Sequence, residues 1–294
     1  MYYRKAMTLA ELCHIYLQYT GGYKKSSHTD SSKISNYIVP QLGDTEIEDI
    51  TRLQIQSYIN GLTHLKCSTR NRHLNLIKAL CSFAVANHYM ETSPVAGMRT
   101  YKEPASFRKT LEPEEFSSLI RVLKEEMVAE PRDTLSLIML LAFTGMRLGE
   151  ARAGLIEDIN FKQSTLFLRD SKSGDSRLVP LCREAKEVLR MQQNKYGAAG
   201  LIFRSINGGM VSEPRRLMAK LCEKAGIRKC LLHELRYIAG SAMLAATKNI
   251  YAVKVFLGHR NIKTTERYVA FFSGQQNEDV EKAMSLMMKD CSSQ

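Results

Sequence analysis

No stretch of the 294-residue chain reaches the roughly 18 consecutive apolar residues that would span a bilayer. The longest apolar stretch, around Leu135 to Phe143, has the length of a buried helix. The N-terminal MYYRKAMTLAE lacks the continuous apolar region of a signal peptide. The seven cysteines include no Cys-x-x-Cys pair, which argues against a zinc site and for reduced thiols in a cytosol. No Gly-x-x-x-x-Gly-Lys loop is present to hold a nucleotide, and no carboxylate cluster suggests a two-metal centre. Internal repeats and low-complexity segments are absent too. What remains is a soluble chain long enough for two domains, each with its own core. Its abundance is of positive charge: 42 Lys and Arg against 30 Asp and Glu give a net charge of +12. A chain this basic, with no membrane-seeking helix, points to nucleic acid as the partner.

Periodicity predicts that the first hundred or so residues are short helices. Thr8 and Glu11 make a capping box before an apolar stripe of Leu9, Leu12, Ile15, Tyr16 and Tyr19. A second helix is expected over Ser31 to Val39, stopped by Pro40, with Gly43-Asp44 turning the chain. Thr51 and Gln54 cap a third helix carrying Leu53, Ile55, Tyr58 and Ile59. A fourth opens at Ser68 or Thr69 and runs through Leu74, Ile77, Leu80, Cys81 and Val85 to about Met90, before Ser93-Pro94. Its polar face is basic, with Arg70, Arg72 and Lys78 beside Asn71 and His73. Residues 99–110 have no periodicity and read as a basic linker that includes Lys102, Arg108 and Lys109.

From Leu111 a larger mixed domain is expected. It begins with a helix over Pro113 to Ala129 and a buried one over Pro131 to Phe143, which Gly145 is placed to end. Arg147 then falls on the short turn into the next helix, near Glu150. Ile156 to Leu181 alternates as three short strands, with Lys172 in the turn between the last two. Helices follow at Arg183 to Asn194, at Ser212 to Ala225, at His233, at Tyr251 to Leu257, and around Tyr268. The fold class is mainly α with a small antiparallel sheet.

The chemistry concentrates between His233 and Tyr268. His233 and Arg236, in HELR, are three apart and share one face of a helix, so both can point at one anion. Arginine's planar fork donates two parallel hydrogen bonds to phosphate oxygens and stays charged at any working pH. His259, in LGHR, and Tyr268, in TTERY, add proton handling and a nucleophilic hydroxyl. Taken singly, each residue has an ordinary explanation: a helix cap, a turn lysine, a buried histidine, one tyrosine among 13.

Together the motifs resemble the tyrosine recombinases, the phage-integrase family. His-x-x-Arg, Leu-Gly-His and Thr-Thr-x-x-Tyr are similar to its C-terminal signature, and Thr144-Gly145-Met146-Arg147-Leu148-Gly149-Glu150 to the segment of its first arginine. Lys172 to Arg177, followed by Val179-Pro180-Leu181, resembles its lysine turn. Ile38 to Asp44, Asp49-Ile50-Thr51 and Thr69 to Arg72 resemble its core-binding domain. One departure is Tyr237, where many relatives carry a second histidine. In length the chain is similar to Xer-type resolvases and the simpler phage or transposon integrases, starting directly at the core-binding domain.

The resemblance implies a helical, SAM-like core-binding domain over 1–98, the linker 99–110 and an α+β catalytic domain over 111–294. It implies site-specific recombination of double-stranded DNA through a 3′-phosphotyrosine, with no cofactor, in a nucleoid-associated cytoplasmic protein. Catalytic roles fall on Arg147, Lys172, His233, Arg236, His259 and Tyr268. The arginines stand where a metal would, Lys172 protonates the leaving 5′-oxygen, and Glu150 orients the first arginine or a histidine. Arg70, Asn71, Arg72, Lys78, Lys102, Arg108 and Lys109 become contacts to the DNA backbone. Two rival readings are a type IB topoisomerase, which would relax supercoils with the same chemistry, and a non-catalytic DNA-binding relative. The core-binding spelling argues against the first and the intact residue set against the second.

Beyond the tyrosine, Val280, Ala283, Met284, Met287 and Met288 recur at helical spacing, and Asn277, Glu278 and Asp279 suit a helix start. A tail helix over 277–290 is expected, packed either on its own domain or, as in relatives, on a neighbouring protomer of a DNA-bound homotetramer. Such an assembly leaves room for a related recombinase or an accessory factor. Docking in trans predicts that truncation after Gly274 spares binding of a single half-site and weakens cooperative binding of paired half-sites. A gel-shift titration on single and paired sites checks this; unchanged cooperativity places the tail on its own domain.

Overall fold

The computed structural model describes residues 7–24, 27–103, 111–169, 176–266 and 268. Contacts divide the chain into two compact units, Met1–Phe107 and Arg108–Gln294. No helix among the described residues is long and apolar enough to cross a membrane. Lys172, Arg108, Lys109 and the expected tail helix lie outside the described residues.

The N-terminal unit is helical. α1 (Leu9–Gly21) starts at the expected capping box: Glu11 N–H donates to Thr8 Oγ1 at 3.3 Å and Thr8 N–H to Glu11 Oε2 at 2.9 Å. It buries Leu9, Leu12, Cys13, Tyr16 and Thr20. Tyr19, expected on that face, is 60% exposed, and Thr20 takes the inner place by donating its hydroxyl to Tyr16 O. α2 (Ser27–Lys33) begins earlier than expected and does not stop at Pro40; it passes through a wide π-turn, Ile34–Ile38, into α3 (Val39–Leu42). The physical reason is the bond from Val39 N–H to Ile34 O, five residues back. It resets the ladder just before Pro40, whose missing N–H then falls in a first turn.

α4 (Arg52–Gly61) has the expected Thr51–Gln54 box and buries Ile55, Tyr58 and Ile59, but Leu53 is 79% exposed. α5 (Cys67–Ala86) is the long central helix and ends before Met90. Its basic face is only partly a solvent face. Asn71 is buried, donating to Tyr101 O at 2.9 Å and Glu103 Oε1 at 2.8 Å while accepting from Tyr101 N–H at 2.8 Å. The Arg70 guanidinium lies 4.4 Å over the Tyr101 ring, and Lys78 donates to Met98 O. The start of the expected linker is therefore strapped onto α5. Asn71, expected to meet DNA, holds that strap instead; Arg72 and Lys102 are exposed.

The second unit opens with α6 (Pro113–Ala129) and α7 (Asp133–Thr144). α7 is apolar all round and buried along almost its whole length, as a helix at the centre of a core must be. α8 (Leu148–Ala153) is followed by a three-stranded antiparallel sheet, β1 (Ile159–Asn160), β2 (Thr165–Leu168) and β3 (Arg177–Pro180), in the order β1-β2-β3. Leu166 faces Val179 and Phe167 faces Leu178, so Leu166, Leu168 and Val179 enter the core while Phe167 and Leu178 point out. α9 (Arg183–Tyr196), α10 (Arg215–Lys224), α11 (Leu232–Thr247), α12 (Ile250–Leu257) and the short α13 (Lys263–Glu266) complete the unit. Tyr268 sits just past α13, in a turn.

Two glycines let α7, α11 and α12 close up. Gly145 ends α7 at φ 60°, and a Cβ there would lie 2.8 Å from Leu257 Cδ2. Gly240, inside α11, is where the Tyr268 ring rests: a Cβ would stand 2.6 Å from Tyr268 Cε1 and 2.9 Å from Leu257 Cδ1. Gly240→Ala is therefore expected to destabilise the protein by about 1–3 kcal/mol, the cost of overpacking a filled core. Gly21→Ala at the end of α1, where nothing lies within 4 Å, should be neutral or stabilising by up to about 1 kcal/mol. Urea unfolding of the two variants checks the contrast.

Candidate active site

The site is built at the C-terminus of α12. Gly258 adopts φ 66°, which lets its N–H reach Val255 O at 3.0 Å and the His259 N–H reach Lys254 O at 3.0 Å. This is a Schellman closure, and it makes His259 the residue that leaves the helix. The next three carbonyls are each met by a different arginine. Arg177 Nη1 donates to Phe256 O at 3.2 Å, Arg236 Nη2 to Leu257 O at 2.7 Å, and Arg147 Nη2 approaches Gly258 O at 3.5 Å. Cations are favoured at this end of a helix, where the carbonyl dipoles converge.

Arg147 reaches this point from the turn between α7 and α8. Gly145 ends α7, and Arg147 is the N-cap of α8, so its place is set by backbone. Its own N–H donates to Glu150 Oε2 at 3.0 Å and its Nη1 to Glu150 Oε1 at 2.7 Å. Glu150 is buried and also receives Arg177 Nη2 on Oε2 at 2.9 Å. Burial alone pushes this carboxyl up; the Arg177 cation and the hydrogen bonds from Arg147 and Arg177 outweigh it and leave it below the usual carboxylate range.

Arg236, on α11, is 3% exposed and also donates Nη1 to Gly145 O at 2.6 Å. Burial first, and the neighbouring Arg147 second, lower its guanidinium to about 10. It remains a cation near neutral pH. Two of its five N–H donors are bound to these carbonyls, leaving others for a ligand.

His259 is buried, with Nδ1 2.9 Å from Thr265 Oγ1, and its ring lies 6.2 Å from that of Tyr268. Tyr268 is 2% exposed and packs its ring 5.5 Å from that of Tyr237. Tyr237 thus joins the nucleophile candidate to His233, whose ring stands edge-on at 5.2 Å. His233 itself is exposed, on the first turn of α11. It lines a cavity of about 500 Å³, mostly apolar, with Met146 and Leu148 from the Arg147 turn and with Glu213, Arg215, Arg216 and Lys229 as its charged groups.

The structure thus gathers Arg147, Glu150, Arg236, His259 and Tyr268 around one helix end and places His233 at its edge. Sequence reading gave no role to Arg177, Gly240 or Gly258. The signal for Arg177 was present, in the Arg-x-Val-Pro-Leu run of the lysine motif. The glycines' roles arise from approach between helices distant in sequence. Among the described residues no group of three or more His, Cys, Asp or Glu is placed to hold a metal ion.

Residues 109–273 match the Phage integrase family, and residues 8–63 match the phage integrase N-terminal SAM-like domain. The chain is similar to the tyrosine recombinase XerA of Pyrococcus furiosus, 31% identical over 222 residues, covering 72% of this chain and 74% of the relative. Its fold is similar to the Tn1549 transposon integrase in complex with circular intermediate DNA, with TM-score 0.73 and 18% identity, covering 90% of this chain and 95% of that one. It is also similar to a lambda integrase tetramer bound to a Holliday junction, with TM-score 0.72 and 21% identity over 90% and 78% of the two chains. With a family match over more than half its length, and arginines, histidines and a tyrosine gathered at one helix end, the chain belongs to the phage integrase family as a tyrosine-type site-specific DNA recombinase.

Proposed function

We propose that the chain cleaves and rejoins double-stranded DNA with Tyr268 as nucleophile and Arg147 and Arg236 as the phosphate clamp. The observation that carries this is the convergence of both guanidiniums on the carbonyls that close α12, with His259 and Tyr268 packed beside them. A phosphodiester entering there offers its two non-bridging oxygens to two forks already held in place. Preorganised cations of this kind stabilise the charge that grows on the phosphorus oxygens in the pentacoordinate transition state.

In the reaction the Tyr268 oxygen bonds to phosphorus, and the bond from phosphorus to the 5′-oxygen breaks. The phenolic proton passes to a histidine, for which His259 is the nearer candidate, and Lys172 supplies the proton that the leaving 5′-oxygen takes up. His233 borders the phosphate from the cavity side. The 3′-phosphotyrosine keeps the energy of the diester, so a 5′-hydroxyl from a second strand reverses the step and rejoins DNA. Because the Tyr268 ring is buried against Tyr237 and His259, DNA has to open that packing, or draw the ring out of it, before attack.

Binding would be dominated by phosphate contacts, for which Arg72 and Lys102 are exposed in the N-terminal unit and Arg70 is partly exposed; Arg108 and Lys109 join them by sequence. We read the working form as a homotetramer on two DNA sites, in keeping with the lambda integrase tetramer on a Holliday junction, and the setting as the cytoplasmic nucleoid.

Tyr268→Phe is expected to abolish the covalent protein–DNA adduct on a nicked suicide duplex while leaving DNA affinity unchanged. An adduct formed by the Phe variant removes Tyr268 from the mechanism. Arg147→Ala and Arg236→Ala should each slow adduct formation on the order of 100-fold, the scale for losing one oxyanion donor. Lysine at either position should restore only part of the rate, since a point charge does not reproduce the fork; full activity would count against the clamp.

A further inference from the structure

We infer that Arg177 is a positioning residue of the cleavage centre: by bridging Glu150 and the C-terminal carbonyls of α12, it holds Arg147 on one side and the His259 turn on the other. The inference rests on the recombinase reading given above. Arg177 donates Nη2 to Glu150 Oε2 at 2.9 Å and Nη1 to Phe256 O at 3.2 Å. Its side chain is 13% exposed and crosses directly over Gly258, where a Cβ would stand 2.5 Å from both its Cδ and Nε. That glycine is needed twice, for the left-handed turn that points His259 out of α12 and for the room the guanidinium occupies.

Packing does not explain a buried cation here. Among the described residues three guanidiniums share this region with one carboxylate, and Arg177 Nε is buried with no hydrogen-bond partner. An apolar side chain of similar volume would fill the same space without the desolvation penalty. What the charge does supply is a fixed, ionised Glu150. With Oε2 shared by Arg177 and the Arg147 N–H, Oε1 is left facing Arg147 Nη1, which sets the direction of the first clamp arginine. Arg177 also opens β3, five residues after Lys172, so the same contact anchors the strand to which that segment is joined.

The groups facing Glu150 are Arg147 at the start of α8, Arg177 on β3 and Arg236 on α11. Arg177 exerts the largest lowering influence on the carboxyl. A depressed carboxylate holds its partner above its folded pKa and releases it as pH falls through that value. Removing Arg177 raises the pKa, so Arg147 is released at a higher pH.

The test uses the full chain and a nicked suicide duplex carrying a sequence the wild type selects from a randomised pool. Arg177→Gln, with Arg177→Met as a second variant that keeps the stem packing, should form adduct on the order of tenfold more slowly at neutral pH. The acid limb of the rate profile should move to higher pH, while DNA affinity is retained. Arg177→Lys should keep the acid limb in place and recover part of the rate. A rate loss that follows thermal stability with an unmoved acid limb, or wild-type rates in the Gln and Met variants, overturns the inference. The Glu150 titration is followed in parallel by carboxyl-carbon NMR in the free protein. If the wild type forms no adduct, the recombinase reading fails, and the NMR arm still decides: an unshifted Glu150 in Arg177→Gln rejects the role of Arg177.

Discussion

The catalytic unit depends on how the end of α12 is closed. The last carbonyls of any helix lack partners within it and must find them elsewhere. Here the left-handed Gly258 satisfies two of them with main-chain donors, and the following ones are met by Arg177, Arg236 and Arg147, from β3, α11 and the α7–α8 turn. Elements far apart in sequence are thus registered against one helix end. The same contacts that complete the fold aim the guanidiniums, so stability and chemistry are set by one group of hydrogen bonds.

Glu150 is the counterweight. It is buried, receives two arginines and one backbone N–H, and lies below the usual carboxylate range although burial pushes it the other way. Replacing one partner would leave a buried charge without its match, which costs more than the intact pair contributes. The arrangement also explains why Arg236 tolerates near-complete burial: helix-end carbonyls and Glu150 favour its charge while Arg147 and Arg177 oppose it.

Much of this was legible in the sequence, for identifiable reasons. Capping boxes at Thr8 and Thr51 appear as spelled because both partners lie within one turn. The α7 helix and its Gly145 stop follow from composition, and the motifs carry Arg147, Arg236, His259 and Tyr268 in order. What failed did so where tertiary contacts override local rules. Pro40 does not stop its helix, because a π-turn ahead of it resets the ladder. Tyr19 and Leu53 share the period of their stripes and still face solvent. Asn71 looked like a surface polar residue and is the clasp for Tyr101, thirty residues away. Arg177 was visible as a letter in a motif, but its role needs the distance to Phe256, 79 residues on.

Three guanidiniums around one carboxylate have a further consequence. Among the described residues this centre carries more positive than negative charge at neutral pH, and on the proposed reading the phosphodiester supplies the balance. On the proposed reading, the exposed part of the Arg147 fork also meets dissolved tetrahedral anions between encounters with DNA. Buffer sulfate or inorganic phosphate would then compete with the diester for this spot, separately from general ionic screening of the basic surface. The choice of anion, and not only the ionic strength, becomes a variable in every measurement of cleavage by this protein.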